Sequence, residues 1–166
     1  MTTPILVRDL MTVGVPTCKC STPVLDVGRY LLEHHLEEMV VLNEEGEGVG
    51  VCGYAELVPL YGREDLAALT AETVMREGVP ELPADIPLAV AATMLRDRGL
   101  RVAYMTHNSA GIIYPAAYIS YWHILRCLTA YDESALKDLG ISAERQSPLD
   151  VFIQRRDAAR RKAGLH

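Results

Sequence analysis

The stretch Asp9-Leu10-Met11-Thr12-Val13-Gly14-Val15-Pro16 decides the reading of this chain, because it returns 64 residues later as Thr73-Val74-Met75-Arg76-Glu77-Gly78-Val79-Pro80. The match continues without a gap, residues 9–42 falling on 73–106. Further along it, Pro23, Leu31 and Leu36 reappear as Pro87, Leu95 and Leu100. Seven identities in 34 positions compare with about two expected from average composition. A unit of about 60 residues cannot bury a sheet face by itself. Two copies packed together are therefore expected to form one pseudo-symmetric body.

The hydropathy pattern repeats as well. Val24, Val27, Gly28 and Leu31 fall on Leu88, Ala91, Ala92 and Leu95, the i, i+3, i+4, i+7 spacing of a helix with one buried stripe. The small Gly28 and Ala92 imply close approach of another element. Ser21 or Thr22 is expected to cap the first helix and Asp85 the second, with Pro23 and Pro87 near the first turns. Gly99 should end the second helix in the left-handed conformation. His35 holds that place in the first copy and is a poorer terminator. Short apolar runs follow, Met39–Leu42 and Val102–Met105, each of strand length. Return strands then come at Val49–Cys52 and in a longer run ending at Ile119. Copy two has three extra residues there, and Pro115 predicts a bulge or an edge. Short helices begin at Tyr54 and Tyr121, with Ser120 placed to cap the second. The fold class is α/β (α+β): two repeats, each a small three-stranded sheet packed with two helices. Residues 1–64 and 65–128 are expected to be the repeats, and 129–166 a helical extension with a basic tail. The linker Val58–Ala71 reads as a loop and a short helix.

The chain has 166 residues, 49% of them hydrophobic and 23% charged, a composition that supports a packed core. No run approaches the roughly 18 apolar residues of a spanning helix. Met1-Thr2-Thr3-Pro4 opens no secretory signal, so a cytoplasmic location is expected. The net charge of −6 argues against a general nucleic-acid binder. Residues 1–141 carry 10 Lys+Arg against 19 Asp+Glu, and residues 142–166 carry 6 against 3. The body is acidic and the tail basic. Cys18, Cys20, Cys52 and Cys127 are read as reduced structural thiols, with no second pair at zinc-site spacing. A thiol or metal sensor is the alternative. His34 and His35 are read as solvated or capping residues, and Tyr121 and Trp122 as packing residues. No nucleophile stands with His123 as a triad, and no enzyme is expected.

The order of these motifs resembles a tandem pair of cystathionine-β-synthase (CBS) domains, over residues 7–58 and 71–126. The family's leading segment is echoed by Val7–Thr12 and Thr73–Arg76. Its hairpin end, Gly-apolar-apolar-Thr-x-x-Asp-Leu, is echoed by Gly50-Val51-Cys52-Gly53-Tyr54-Ala55-Glu56-Leu57 and by Ala117–Ile124. The resemblance implies a regulatory module for adenosine-containing ligands, commonly a homodimer, needing no other cofactor. A carboxylate at a helix start can accept bonds from both ribose hydroxyls. A hydroxyl three residues earlier, with the amides of that turn, can receive phosphate.

Both copies depart from this pattern. Copy one has Glu56 for the Asp and Gly53 for the Thr. Copy two keeps a hydroxyl in Ser120 but has His123 for the carboxylate. The resemblance lets each repeat's strand-leading residues serve the other's ligand. Arg98 and Arg101 would then serve Glu56, while Glu37 and Glu38 beside His123 would repel phosphate. AMP on Glu56 with its phosphate near Arg101 is the first expectation, with ADP and ATP as variants. A site at Ser120 and His123 is the runner-up. Thr17, Cys18 and Lys19 would edge the base pocket, with apolar strand residues Val40 and Tyr104 sandwiching the base. The rival reading is a ligand-free dimeric scaffold with degenerate clefts. The tail predicts a helix over Leu149–Lys162, with Leu149, Phe152 and Ile153 on an apolar face and arginines elsewhere. It could meet a second subunit or an acidic protein partner, and its apolar face is too short for a membrane surface.

Overall fold

The computed structural model describes residues 4–130 and residue 134. The expected helix over Leu149–Lys162 lies outside the described residues. Described residues up to Thr129 form one compact unit. In chain order it contains α1 (Val7–Leu10), β1 (Thr12–Val13), β2 (Thr17–Lys19), α2 (Val24–Glu33), β3 (Glu38–Leu42), β4 (Gly48–Gly53) and α3 (Tyr54–Leu57). Then follow α4 (Ala71–Val74), β5 (Arg76–Glu77), α5 (Leu88–Asp97), β6 (Val102–Ser109), β7 (Ile112–Ser120) and α6 (Tyr121–Thr129). The linker holds two 3-10 turns, Val58–Leu60 and Leu66–Ala68.

Two sheets form, in the orders β2-β3-β4-β5 and β1-β7-β6. The second has the three strands expected of each repeat, and the first has four. Each repeat sends its leading strand to the other's sheet: β1 runs antiparallel to β7, and β5 antiparallel to β4. The counterpart of β2 in the second sheet is a single parallel bridge, Glu81 to Tyr104. The exchange follows the 64-residue shift bond by bond. Val7 N donates to Ile86 O as Ala71 N does to Thr22 O, and Arg8 N to Ala84 O as Glu72 N to Cys20 O. A leading segment has no sheet of its own within reach, so its backbone groups are satisfied on its neighbour.

That exchange also replaces the expected side-chain caps. The helix starts α2 and α5 are flanked by Pro23 and Pro87, with no side-chain cap. Val24 N donates instead to Leu69 O, and Leu88 N to Ile5 O. Thr22 Oγ1 turns back to Lys19 N, and Asp85 pairs with Arg8. At the other end His35 adopts φ 52°, close to Gly99 at φ 64°. Leu36 N then reaches Leu31 O, and Leu100 N reaches Leu95 O, so both helices close with the same left-handed turn despite the side chain at His35. The register shift between Met105 and Thr106 lies opposite Pro115, as the missing N–H there requires. Gly28 faces the Leu57 side chain, the close approach its size implies.

Burial follows the exchanged arrangement. Val7 of α1 packs with Leu88, Ala91, Leu95, Ala103 and Ile119 of copy two. Ala71 of α4 packs with Val27, Leu31, Met39, Val41 and Cys52 of copy one. A third cluster, Val40, Val51, Val102 and Tyr104, lies between the sheets. Removing these side chains from water, at about 25 cal/mol per Å² of apolar surface, ties the repeats into one body.

Candidate functional site

Each sheet ends where its last strand runs into a helix, and these two junctions carry the sites expected from sequence. At the first, Gly53 N donates to Glu56 Oε2 at 2.9 Å. At the second, Ser120 N donates to His123 Nδ1 at 3.1 Å. The residue at the carboxylate place therefore caps its own turn in both copies. Residues of the exchanged strands complete each junction. Arg76 Nη1 of β5 stands 3.7 Å from Glu56 Oε1, and Thr12 Oγ1 lies 2.8 Å from His123 Nε2. Thr12 and Arg76 are the same position of the repeat. One junction is thus an ion pair and the other a neutral hydrogen bond.

The cation beside Glu56 is Arg76, which corrects the expectation of Arg98 and Arg101. The β5 register, with Arg76 opposite Val51, puts that guanidinium there. Arg76 Nη2 also lies 3.5 Å from Glu38 Oε2, and Tyr104 donates its hydroxyl to Glu38 Oε1 at 3.1 Å. Burial raises the Glu38 carboxyl to about 7, Arg76 and Tyr104 pull it down, and Glu56 and Glu37 add to the rise. Arg98 instead donates to Glu81 O, and Arg101 Nη1 approaches Glu37 Oε2 at 3.8 Å.

Gly53 is a steric requirement here. A Cβ there would stand 2.5 Å from Glu37 O and closer still to Glu38 Cβ. Val40 and Tyr104 are fully buried between the sheets, so they do not face a ligand as expected. Their side chains meet across the repeat axis because both strands present that face to the partner sheet. Thr17 of β2 pairs with Val40 of β3. Cys18 and Cys20 both pack on the first core. Burial lifts the Cys18 thiol to about 11 and Cys52 to about 12, which keeps both protonated near neutrality. Among the described residues no group of three or more His, Cys, Asp or Glu is placed to hold a metal.

A cleft of about 650 Å³ opens at the second junction. His34, His35, Leu36, Glu37 and Glu38 line it from copy one; Val102, Tyr118, Ser120, Trp122 and His123 line it from copy two. The runner-up pair Ser120 and His123 therefore sits in an open cleft, facing Glu37 and Glu38 as expected. His123 is 4% exposed. Its Nδ1 accepts the Ser120 amide, so the ring proton rests on Nε2 and is donated to Thr12 Oγ1. Burial, with Arg126 adding, pushes its pKa down to about 4. His34 stacks on Tyr30 and bonds its carbonyl, so the adjacent histidines end the helix and also border the cleft. Thr12, Arg76 and Tyr118 escaped the sequence reading. The repeat alignment, which already set Thr12 on Arg76, was the signal for the first two.

The CBS domain family model matches residues 7–60. No curated protein matches the chain. Solved structures do. The CBS domain pair of protein MJ0100, in complex with 5′-methylthioadenosine and S-adenosyl-L-methionine, is 15% identical, with TM-score 0.68 over 78% of this chain and 100% of that one. CBSX2 in complex with AMP is 20% identical, with TM-score 0.61 over 74% and 95%. The CBS-domain containing protein ATU1752 from Agrobacterium tumefaciens is 16% identical, with TM-score 0.65 over 74% and 92%. With its first repeat matched in sequence and both repeats matched in structure, the chain is a tandem CBS domain pair in fold.

Proposed function

We propose that this chain is a non-catalytic regulatory module that takes an adenosine-type ligand in the cleft at Ser120 and His123. One observation carries the reading: the cleft is lined by both repeats, from the α2–β3 junction of one and the β7–α6 junction of the other. A ligand there touches both halves, so its occupancy biases how they pack and a partner protein can read the result. The adenosine compounds bound to MJ0100 and CBSX2 support the ligand class. AMP, expected at Glu56, would there meet a guanidinium already shared by two carboxylates, so the reading moves to the other cleft. The module is read as a cytoplasmic homodimer. Equivalent exposed apolar pairs support association: Tyr54 with Tyr121, Val58 with Leu125, and Tyr61 with Leu128. The described residues contain no helix long and apolar enough to cross a membrane.

Thermal melting with adenosine, 5′-methylthioadenosine, S-adenosylmethionine, AMP, ADP and ATP tests this. A site gives a concentration-dependent rise, worth about 2.7 kcal/mol at a hundred times Kd. No shift with any of the six at millimolar concentration refutes it and leaves a ligand-free scaffold.

A further inference from the structure

Trp122, read from the sequence as a packing residue, is instead 55% exposed and lines the cleft at the second junction. An exposed apolar side chain is common on a protein surface, but here the repeat supplies a control. Helices α3 and α6 start at equivalent places, Tyr54 and Tyr121, so Ala55 is the counterpart of Trp122. A helix at that place forms with a methyl side chain, and the fold does not require an indole there. The association face does not require it either. Tyr121, Leu125 and Leu128 each have an exposed apolar counterpart in copy one, whereas Trp122 has only Ala55. The indole stands in the repeat whose junction opens as a cleft, and not in the one whose junction holds the Arg76–Glu56 ion pair.

The ring is also held. Arg126, one helical turn on, places its guanidinium 4.4 Å from the indole centroid, a cation–π contact that fixes the ring's orientation. The His123 ring meets the indole at 89° with centroids 5.1 Å apart, and meets Tyr118 at 83° and 5.4 Å. An aromatic ring already fixed in place loses little conformational freedom when a ligand covers it.

We propose that Trp122 is the stacking platform for the base of the adenosine-type ligand. Offset stacking of a purine on the indole buries two π faces against each other and asks nothing of the base edges. Copy one, with Ala55 at that place, has no such face. The inference rests on the adenosine reading of the cleft given above.

Trp122 is the single tryptophan of the chain, so its emission reports on the site directly. Adenosine, 5′-methylthioadenosine, S-adenosylmethionine and AMP are titrated into the full chain. Each compound that binds by calorimetry should quench the emission over the same concentration range. Trp122→Ala, which gives copy two the residue of copy one, should weaken binding between about fivefold and about a hundredfold. Its melting curve without ligand should stay close to the wild type, because the side chain is half exposed. Trp122→Phe should keep more of the affinity than Trp122→Leu, which retains apolar bulk without a π face. Binding that leaves the emission unchanged, Trp122→Ala binding as tightly as the wild type, or Trp122→Leu binding as tightly as Trp122→Phe, overturns the inference while the cleft reading stands. Silence from all four compounds in both calorimetry and melting overturns the cleft reading itself, and the stacking platform with it.

Discussion

Glu38 and His123 line the same cleft, and their titrations oppose each other. An unfolded glutamate titrates near 4.5, and burial raises folded Glu38 to about 7. Between those values the folded protein keeps a proton that the unfolded chain has released, so stability falls as pH rises. At 1.36 kcal/mol per pH unit the loss totals about 3 kcal/mol. An unfolded histidine titrates near 6.5, and burial lowers folded His123 to about 4. Over that window the unfolded chain holds the extra proton, so stability rises with pH, again by about 3 kcal/mol. From about pH 4.5 to 6.5 the two slopes cancel in the wild type. Glu38→Gln keeps an acceptor for Tyr104 and leaves His123 alone, so its stability relative to wild type should climb with pH. His123→Asn keeps an acceptor for Ser120 N and leaves Glu38 alone, so its relative stability should fall. Urea unfolding followed by circular dichroism at half-unit pH steps measures both. Subtracting the wild-type curve removes groups common to all three proteins. Differences flat to within about 0.5 kcal/mol, or tilted the same way in both variants, would refute the reasoning.

Restoring the family's hydroxyl with Gly53→Ser should destabilise the chain by about 1–3 kcal/mol in urea, because the new Cβ meets Glu37 O and Glu38. A nucleotide-dependent rise in its melting temperature would contradict that. Thr12→Val should cost about 1–3 kcal/mol by leaving the buried His123 Nε2 without its partner, whereas Thr12→Ser should retain most of the stability. Equal unfolding midpoints for the two would show that the hydrogen bond is not the cause.

Much of the fold was legible because repetition and periodicity are local properties of the chain. The 64-residue shift located both long helices, and Pro115 marked its bulge through a missing donor. The caps were misread for a reason the same shift explains. Val24 N and Leu88 N find carbonyls at Leu69 and Ile5, which are remote in sequence, and no local pattern announces them. The site was legible in part. Gly53, Glu56, Ser120 and His123 stand at the two junctions where the motif sets them, and Glu37 and Glu38 face His123. The partners of Glu56 and the burial of Val40 and Tyr104 required the sheets to be assembled.

By itself the sequence determined that two copies of one unit exist, where their helices lie, and which residues occupy each carboxylate and hydroxyl place. Only the tertiary structure decided what those places meet. The exchange of leading strands sets Arg76 against Glu56 and Thr12 against His123, turning two equivalent positions into an ion pair and a neutral contact. The physical reason lies in the range of the forces. Helix periodicity and turn chemistry act over a few residues, whereas the charge and burial of a cleft depend on side chains brought together from opposite repeats.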